Sequence, residues 1–254
     1  MQASFKRVPA LEKCFAILEL LAKSREPLGV SGIARVLNFN RSTVFNILHT
    51  LTHLEILEQG PANKFGFGIK FYMLGRATRM GSELIRTVHS YLQKINQQTK
   101  LSAFLGTRSG LKAIIVDKVD DAFDIRISSE IGMELPLLAG AGGKVLLSQL
   151  ADDELDQILS QNPLQRFTRY TCVDKAQYRE MIRKARREGI AVDKEEYLED
   201  IRALAVPLNI KRGNAQFAIW AVGLKRQLPD DRIGRYAAFL KQMAREIEIR
   251  LARD

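Results

Sequence analysis

The stretch RSTVFNILHTLTHLEILEQGPANKFGF, residues 41–67, decides how the first third of the chain folds. Over residues 41–54 the apolar positions Val44, Ile47, Leu48, Leu51 and Leu54 recur at helical spacing, which predicts a helix with that set turned inward. Arg41, Ser42, Phe45, Asn46 and His49 fall on its outward face. Residues 56–59 and 64–67 then read as two short strands around the turn Gly60-Pro61-Ala62-Asn63, a hairpin. Upstream, Leu11, Cys14, Phe15, Leu18, Leu21 and Ala22 mark an amphipathic helix over residues 8–23, which Pro27-Leu28-Gly29 breaks. Val30, Ile33, Ala34 and Leu37 mark a short second helix before the turn Asn38-Phe39-Asn40. Three helices followed by a hairpin make a winged helix-turn-helix.

Reading DNA requires a helix that enters the major groove, short polar groups near its start and a positive surround. Residues 41–49 supply them. Arg41 reaches a phosphate or a guanine edge, and Ser42 and Thr43 can bond backbone oxygens. Asn46 can pair bidentately with adenine, Phe45 can lie against a thymine methyl, and His49 continues the same face. Lys64 at the hairpin tip meets the backbone or the minor groove, as do Lys6 and Arg7 in a leading arm. A single amphipathic helix with such residues outside is commonly just a solvated surface; the helix order, the hairpin and the charge together favour DNA. His49 and His53 stand four apart, as zinc ligands can, but no Glu follows His49 and no third ligand is near, so no metal is expected.

The charge supports a positive first domain. Of 254 residues, 46 % are hydrophobic and 27 % charged, with net charge +10, which excludes disordered, collagen-like and disulfide-stapled classes. Residues 1–80 hold eleven Lys/Arg against five Asp/Glu, and residues 81–254 hold 28 against 24, so +6 sits on the smaller part and +4 on the larger. Such an excess attracts phosphate polymers or anionic surfaces. The two cysteines, Cys14 and Cys172, read as small apolar residues of a reducing compartment, Cys14 in the first helix's core. The first 25 residues carry seven charges and no stretch is apolar enough to span a bilayer, so a cytoplasmic protein without membrane partners is expected.

Residues 69–86 resume a helical pattern and read as a connector. Beyond it, strand-like runs at 103–105, 112–116, 125–128, 190–193, 203–208 and 217–224 mix with helical stretches near 89–99, 142–150, 152–160, 175–188 and 229–253. The two types do not alternate one for one, so an α+β domain with a mostly antiparallel sheet is expected. Residues 139–144, Ala-Gly-Ala-Gly-Gly-Lys, resemble a phosphate loop only superficially: Leu138 and Val145 stand where a Walker loop needs Gly and Ser/Thr, and no third glycine follows for a dinucleotide. What remains is a small-residue turn opening a helix, whose free N–H groups can hold a carboxylate, or whose glycines only permit tight packing. Arg179, Arg183, Lys184, Arg186 and Arg187 read as a solvated helix face paired with Glu180 and Glu188. No nucleophile elbow or supported carboxylate pair stands out, so no catalytic residue and no cofactor is expected.

At this point a family becomes visible. Val8-Pro9-Ala10-Leu11, Ile33-Ala34-Arg35-Val36-Leu37, Arg41-Ser42-Thr43-Val44 and Leu54-Glu55-Ile56-Leu57-Glu58 resemble the DNA-binding half of the IclR-type (isocitrate-lyase-regulator) transcription factors. Leu135-Pro136-Leu137 leading into residues 139–144, then 187–197 and 201–207, resemble that family's effector segments in order and spacing. The resemblance implies a winged helix-turn-helix over 1–70, a linker helix over 71–86, and over 87–254 a GAF-like effector-binding and oligomerisation domain. It also implies that the small-residue turn lines an effector site. By position, Ala141 and Gly142 would offer backbone donors, Leu135 and Leu137 an apolar wall, and Asp193, Ile201 and Ala203 a border. Trp220 and Val222 would set the site's size, although a lone aromatic such as Trp220 is commonly core. Two departures stand out. Gly29 and Gly32 replace the Ser cap and Glu that often open the second helix, and Glu55 replaces the Gly usual just past the recognition helix, which makes a left-handed backbone there costlier.

The expected protein is a transcriptional regulator, repressor or activator, that binds a double-stranded inverted-repeat operator as a homodimer or dimer of dimers. A small organic or aromatic acid in the second domain would control that binding. The competing readings are an enzyme for a small anionic substrate with a DNA-tethering domain, and a constitutive DNA binder whose second domain only dimerises.

Overall fold

In the computed structural model, which describes residues 6–24, 26–77, 79–120, 129–210 and 215–252, Pro9 opens the first helix, a position where its fixed φ suits the first turn and its missing N–H costs nothing. The chain divides into two units, Met1–Gly81 and Ser82–Asp254. In the first, α1 (Pro9–Lys23), α2 (Val30–Leu37) and α3 (Arg41–His53) enclose a core of Ile17, Leu18, Leu21, Ile33, Val44, Leu48 and Leu51, closed by Leu57 and Phe65. The α1 stripe is rotated from the expected one: Leu11, Phe15 and Ala22 are exposed, and Ile17, Leu18 and Leu21 are buried. Leu54 is likewise exposed, because it lies past the last turn of α3.

The hairpin forms as β2 (Leu57–Gln59) and β3 (Lys64–Phe67), joined by a 3₁₀ turn at Pro61–Asn63. The supposed break at Pro27-Leu28-Gly29 instead gives β1 (Leu28–Gly29), which pairs with β3 opposite Phe65 and Lys64. The wing is thus a three-stranded antiparallel sheet in the order β1-β3-β2. Where one linker helix is expected, the chain forms α4 (Ile69–Ala77) and α5 (Arg79–Thr99). The latter runs on through the stretch expected as a separate helix, because Leu84, Val88, Tyr91, Leu92 and Ile95 keep one buried stripe.

The second unit is built on β4 (Ser102–Ser109), β5 (Lys112–Val119), β6 (Glu134–Pro136), β7 (Ala191–Lys194), β8 (Ile201–Leu208) and β9 (Phe217–Leu224). Their order is β6-β5-β4-β9-β8-β7, and every pairing is antiparallel. The short β6 is unforeseen in the sequence, and the strand expected at 125–128 lies outside the described residues. Strand alternation sorts the side chains. Ala103, Leu105, Leu204, Val206, Ile219 and Ala221 face α5 and α9 (Asp230–Leu251), while Phe104, Ala113, Ile115, Ala203, Ala205 and Trp220 face α6 (Gly140–Ser148), α7 (Asp152–Gln161) and α8 (Lys175–Glu188).

The basic run on α8 is largely consumed by α7. Arg183 and Arg186 both hold Asp152, at 2.9 and 2.6 Å, Arg179 holds Asp156, and Arg187 pairs with Glu180 at 2.8 Å. The two guanidiniums bring the Asp152 carboxyl down to about 2. Glu188, the other expected partner, meets Lys184 at 3.9 Å.

Candidate functional site

Two regions gather the singled-out residues, one in each unit. In the first unit, α3 begins at Arg41 after Asn40, whose extended backbone turns the chain without a side-chain cap. Arg41, Ser42, Phe45 and His49 line one wall of an open groove; Gly29, Val30, Ser31 and Gly32 form the second, and Gln59, Ala62, Asn63 and Phe65 of the wing the third. Arg41 Nη2 donates to Ser31 Oγ at 2.7 Å, so the guanidinium is aimed by the start of α2. Phe45 is 49 % exposed, and its ring lies 4.1 Å from that of His49. Asn46 is exposed on the same helix but outside the groove lining, and Thr43 is half-buried. Lys64 is exposed at the start of β3. Lys6 and Arg7 are exposed ahead of α1, where Arg7 Nε stands 3.2 Å from Glu12 Oε1.

Ser31 and the Gln59–Asn63 hydrogen bond of 2.9 Å at the wing are part of this face and carry no sequence signature. Both join residues through tertiary or turn geometry that no spacing rule reports. The unusual α2 start is as the sequence implies: Gly29 is the cap residue and no side chain caps the helix.

In the second unit a cavity of about 330 Å³ opens where the sheet meets the start of α6. Leu135, Ala141, Gly142, Asp193, Ile201, Ala203, Trp220 and Val222 all line it, together with Phe104, Ala113, Ile115, Met133 and Tyr197. Leu137 does not. It is buried in the core beneath α6, because Pro136 ends the strand and turns the next residues inward. The convergence follows from register: Asp193, Ala203 and Val222 are successive cross-strand partners, and so are Trp220 and Phe104. The walls are mostly apolar, and no lysine, arginine or histidine is among the described lining residues.

Two polar features of the cavity face each other at the start of α6 and on β7, and Ser129 and Tyr197 also line it. Ala139 precedes α6 without a side-chain cap, and Gly140 has φ +66°, a conformation L side chains rarely adopt, so the first N–H groups of the helix are left to other partners. Opposite them, Asp193 Oδ2 stands 3.2 Å from the point a Gly140 Cβ would occupy. Asp193 Oδ1 accepts from the Glu196 N–H at 2.6 Å. Burial pushes the Asp193 carboxyl up to about 6; the nearby Glu196 charge adds to this, while the Glu196 and Tyr197 N–H groups and Lys144 oppose it. Lys144, although on α6, is turned away and donates to Val192 O and Glu196 Oε1. A carboxylate here would therefore meet neutral donors and one carboxyl rather than a cation. Among the described residues no group of three His, Cys, Asp or Glu side chains converges to hold a metal, and no helix is long and apolar enough to cross a membrane.

Comparison with known proteins places these two regions in context. Residues 10–61 match the family described as IclR helix-turn-helix domain, and residues 78–249 match Bacterial transcriptional regulator IclR C-terminal. The HTH-type transcriptional regulator KdgR of Escherichia coli is 28 % identical over 250 residues, covering 96 % of this chain and 93 % of that protein. The HTH-type transcriptional repressor AllR of the same species is 28 % identical over 247 residues, covering 97 % and 91 %. A solved IclR homolog from Microbacterium hydrocarbonoxydans, complexed with 4-hydroxybenzoate, shares the fold at a TM-score of 0.83 and 21 % identity over 96 % of this chain and 100 % of that one.

Proposed function

Since the chain belongs to the IclR family of bacterial transcriptional regulators, we propose that it binds an inverted-repeat operator in the cytoplasm as a homodimer or dimer of dimers, under the control of a small organic acid seated in the cavity of its second unit. It is a regulator with a DNA-binding helix-turn-helix, and its relatives are named as regulators and repressors rather than enzymes.

The observation that carries the effector reading is the cavity itself: apolar walls of Leu135, Ile115, Phe104 and Trp220 converge on uncapped helix N–H groups with no cationic side chain among them. Such walls suit an acid with a compact, partly apolar or aromatic body, and leave few partners for a polyhydroxylated one. The solved relative that holds 4-hydroxybenzoate supports the same ligand class.

On the DNA face, Arg41, Ser42, Thr43, Phe45 and Asn46 would enter the major groove, with Lys64, Lys6 and Arg7 on the backbone or minor groove. One recognition helix reads only a few base pairs, so two-fold pairing supplies the rest of the specificity. Val8 ahead of α1, Leu11 and Phe15 on α1, and Ile69 and Met73 on α4 are exposed apolar residues that a second copy would cover. A ligand that favours one arrangement of paired sensor units would shift the spacing of the recognition helices.

The test is binding of the purified chain to the DNA upstream of its own gene and to scrambled DNA, with benzoate, 4-hydroxybenzoate and aliphatic monocarboxylates added in turn. Emission of Trp220, the only tryptophan, is followed in parallel. A sequence-specific complex that one acid alters, with a matching change in Trp220 emission, is the expected result. Specific binding indifferent to every acid would favour a constitutive binder, and consumption of an added acid would favour an enzyme.

A further inference from the structure

We propose that His49 is a positioning residue, holding the Phe45 ring in place as a contact for a thymine methyl, a role that rests on the DNA-binding reading above. Phe45 is the large apolar side chain on the outer, groove-facing side of α3. Alone at half exposure it would sample several rotamers, and docking it against a base would cost that freedom. The structure removes most of the freedom beforehand. One helical turn on, the His49 imidazole lies 4.1 Å from the Phe45 ring at a 47° tilt. His49 in turn meets the Phe65 ring edge-on, at 5.7 Å and 86°.

Phe65 is an anchor. It is fully buried in β3, opposite Leu28 of β1 on one side and Gln59 of β2 on the other. A rigid wing residue thus supports an imidazole, which supports an exposed phenyl ring. Both contacts have the tilted or edge-on geometry aromatic rings prefer. Among the described residues the His49 imidazole makes no hydrogen bond or ion pair with the protein, and its ring contacts are those to the two phenyl rings. The C5-methyl of thymine is the apolar feature of the major groove, and a pre-placed ring selects it against the polar edges of the other bases.

The full-length chain and its Phe45→Ala, His49→Ala and His49→Phe variants are each taken through selection from randomised DNA duplexes. The wild type should enrich a motif in which Phe45→Ala flattens the preference for thymine at one position. His49→Ala should flatten the same position by roughly 2- to 10-fold and leave the others, and His49→Phe should restore it. If His49→Ala instead weakens every sequence alike with the thymine preference intact, His49 contacts the backbone and the positioning role falls. If it erases a position that Phe45→Ala leaves alone, His49 reads a base itself and the role falls again. A wild type that binds yet enriches nothing overturns the sequence-reading assignment and this role with it, whereas an enriched motif indifferent to Phe45→Ala overturns this role alone. Ring reorientation of isotope-labelled Phe45 in the free protein gives a readout without DNA: His49→Ala should speed it, and an unchanged rate overturns the proposal.

Discussion

Lys144 Nζ stands 2.6 Å from Glu196 Oε1, with the lysine side chain only 2 % exposed, so α6 and the loop after β7 are joined by an ion pair behind the cavity wall. The same ammonium donates to Val192 O at 2.8 Å. Buried pairs of this kind contribute little net stability as pairs, but removing one member leaves the other charge without compensation. Lys144→Met should therefore destabilise the second unit by about 3–5 kcal/mol. Lys144→Met with Glu196→Leu should recover more than half of that. Urea unfolding followed through Trp220 emission measures both, and a single-variant loss below about 1 kcal/mol would show the pair to be dispensable.

Asp193 gives a pH dependence of defined sign. Its folded carboxyl titrates at about 6 because it is buried, against about 3.9 in an unfolded chain. Between pH 4 and 6 the folded state holds more protons than the unfolded one, so the stability present below pH 4 is lost as pH rises through 6. The loss is on the order of 2–3 kcal/mol. Asp193→Asn keeps an acceptor for the Glu196 N–H and cannot titrate. The variant should lack this pH slope and exceed the wild type in stability at pH 7. Equal slopes for the two proteins over pH 4–6 would refute the assignment.

Gly106 makes room for the indole that lines the cavity. A Cβ there would fall 1.8 Å from Trp220 Cη2, whereas one at Gly142 would fall 3.1 Å from Cε3. Gly106→Ala must displace the ring, and overpacking of this kind costs about 1–3 kcal/mol. The displaced indole narrows or reshapes the cavity, so the Trp220 emission maximum and the response to a bound acid should change together. Gly142→Ala should act in the same direction and more weakly. An unaltered emission maximum in Gly106→Ala would mean that the pocket absorbs the methyl elsewhere.

What the sequence discloses, and what it hides, follows from the range of the forces involved. The helices α2, α3, α8 and α9 and the strands β8 and β9 stand where periodicity and apolar runs place them, because local patterning sets these elements. Most of the cavity residues are legible only through the resemblance to the family's effector segments; the structure adds the reason, since strand alternation carries Asp193, Ala203, Val222 and Trp220 to one face once register is fixed. The place of Leu137 is not, because it depends on the turn after Pro136: its carbonyl sits 2.0 Å from where a Gly143 Cβ would be, a contact no spacing reports. The α1 stripe failed for a related reason. Apolar residues cover more than one side of that helix, and only packing on α2 and α3 decides that Ile17 goes inward and Phe15 outward. The Arg41–Ser31 and His49–Phe65 contacts bridge separate elements and leave no sequence signature at all.

Glu55 follows α3 in a left-handed conformation, φ +60°, that suits glycine. The chain ends the helix there with two paired bonds, Ile56 N–H to Leu51 O and Glu55 N–H to Thr52 O, both 2.9 Å, the arrangement that satisfies the last carbonyls of a helix and normally places glycine at this position. The side chain is exposed and no hydrogen bond or ion pair is seen for it among the described residues, so its replacement removes strain without removing a contact. Against this, glycine widens the unfolded ensemble, and the two effects oppose each other. A left-handed conformation costs a non-glycine residue about 1–2 kcal/mol, the larger of the two. Glu55→Gly should therefore stabilise the first unit by about 0.5–1 kcal/mol. Because Trp220 lies in the second unit, its emission should report an unmoved transition, while amide exchange of residues in α3 and β2 slows. Faster exchange there would mean that Glu55 makes a contact in solution that outweighs its backbone strain.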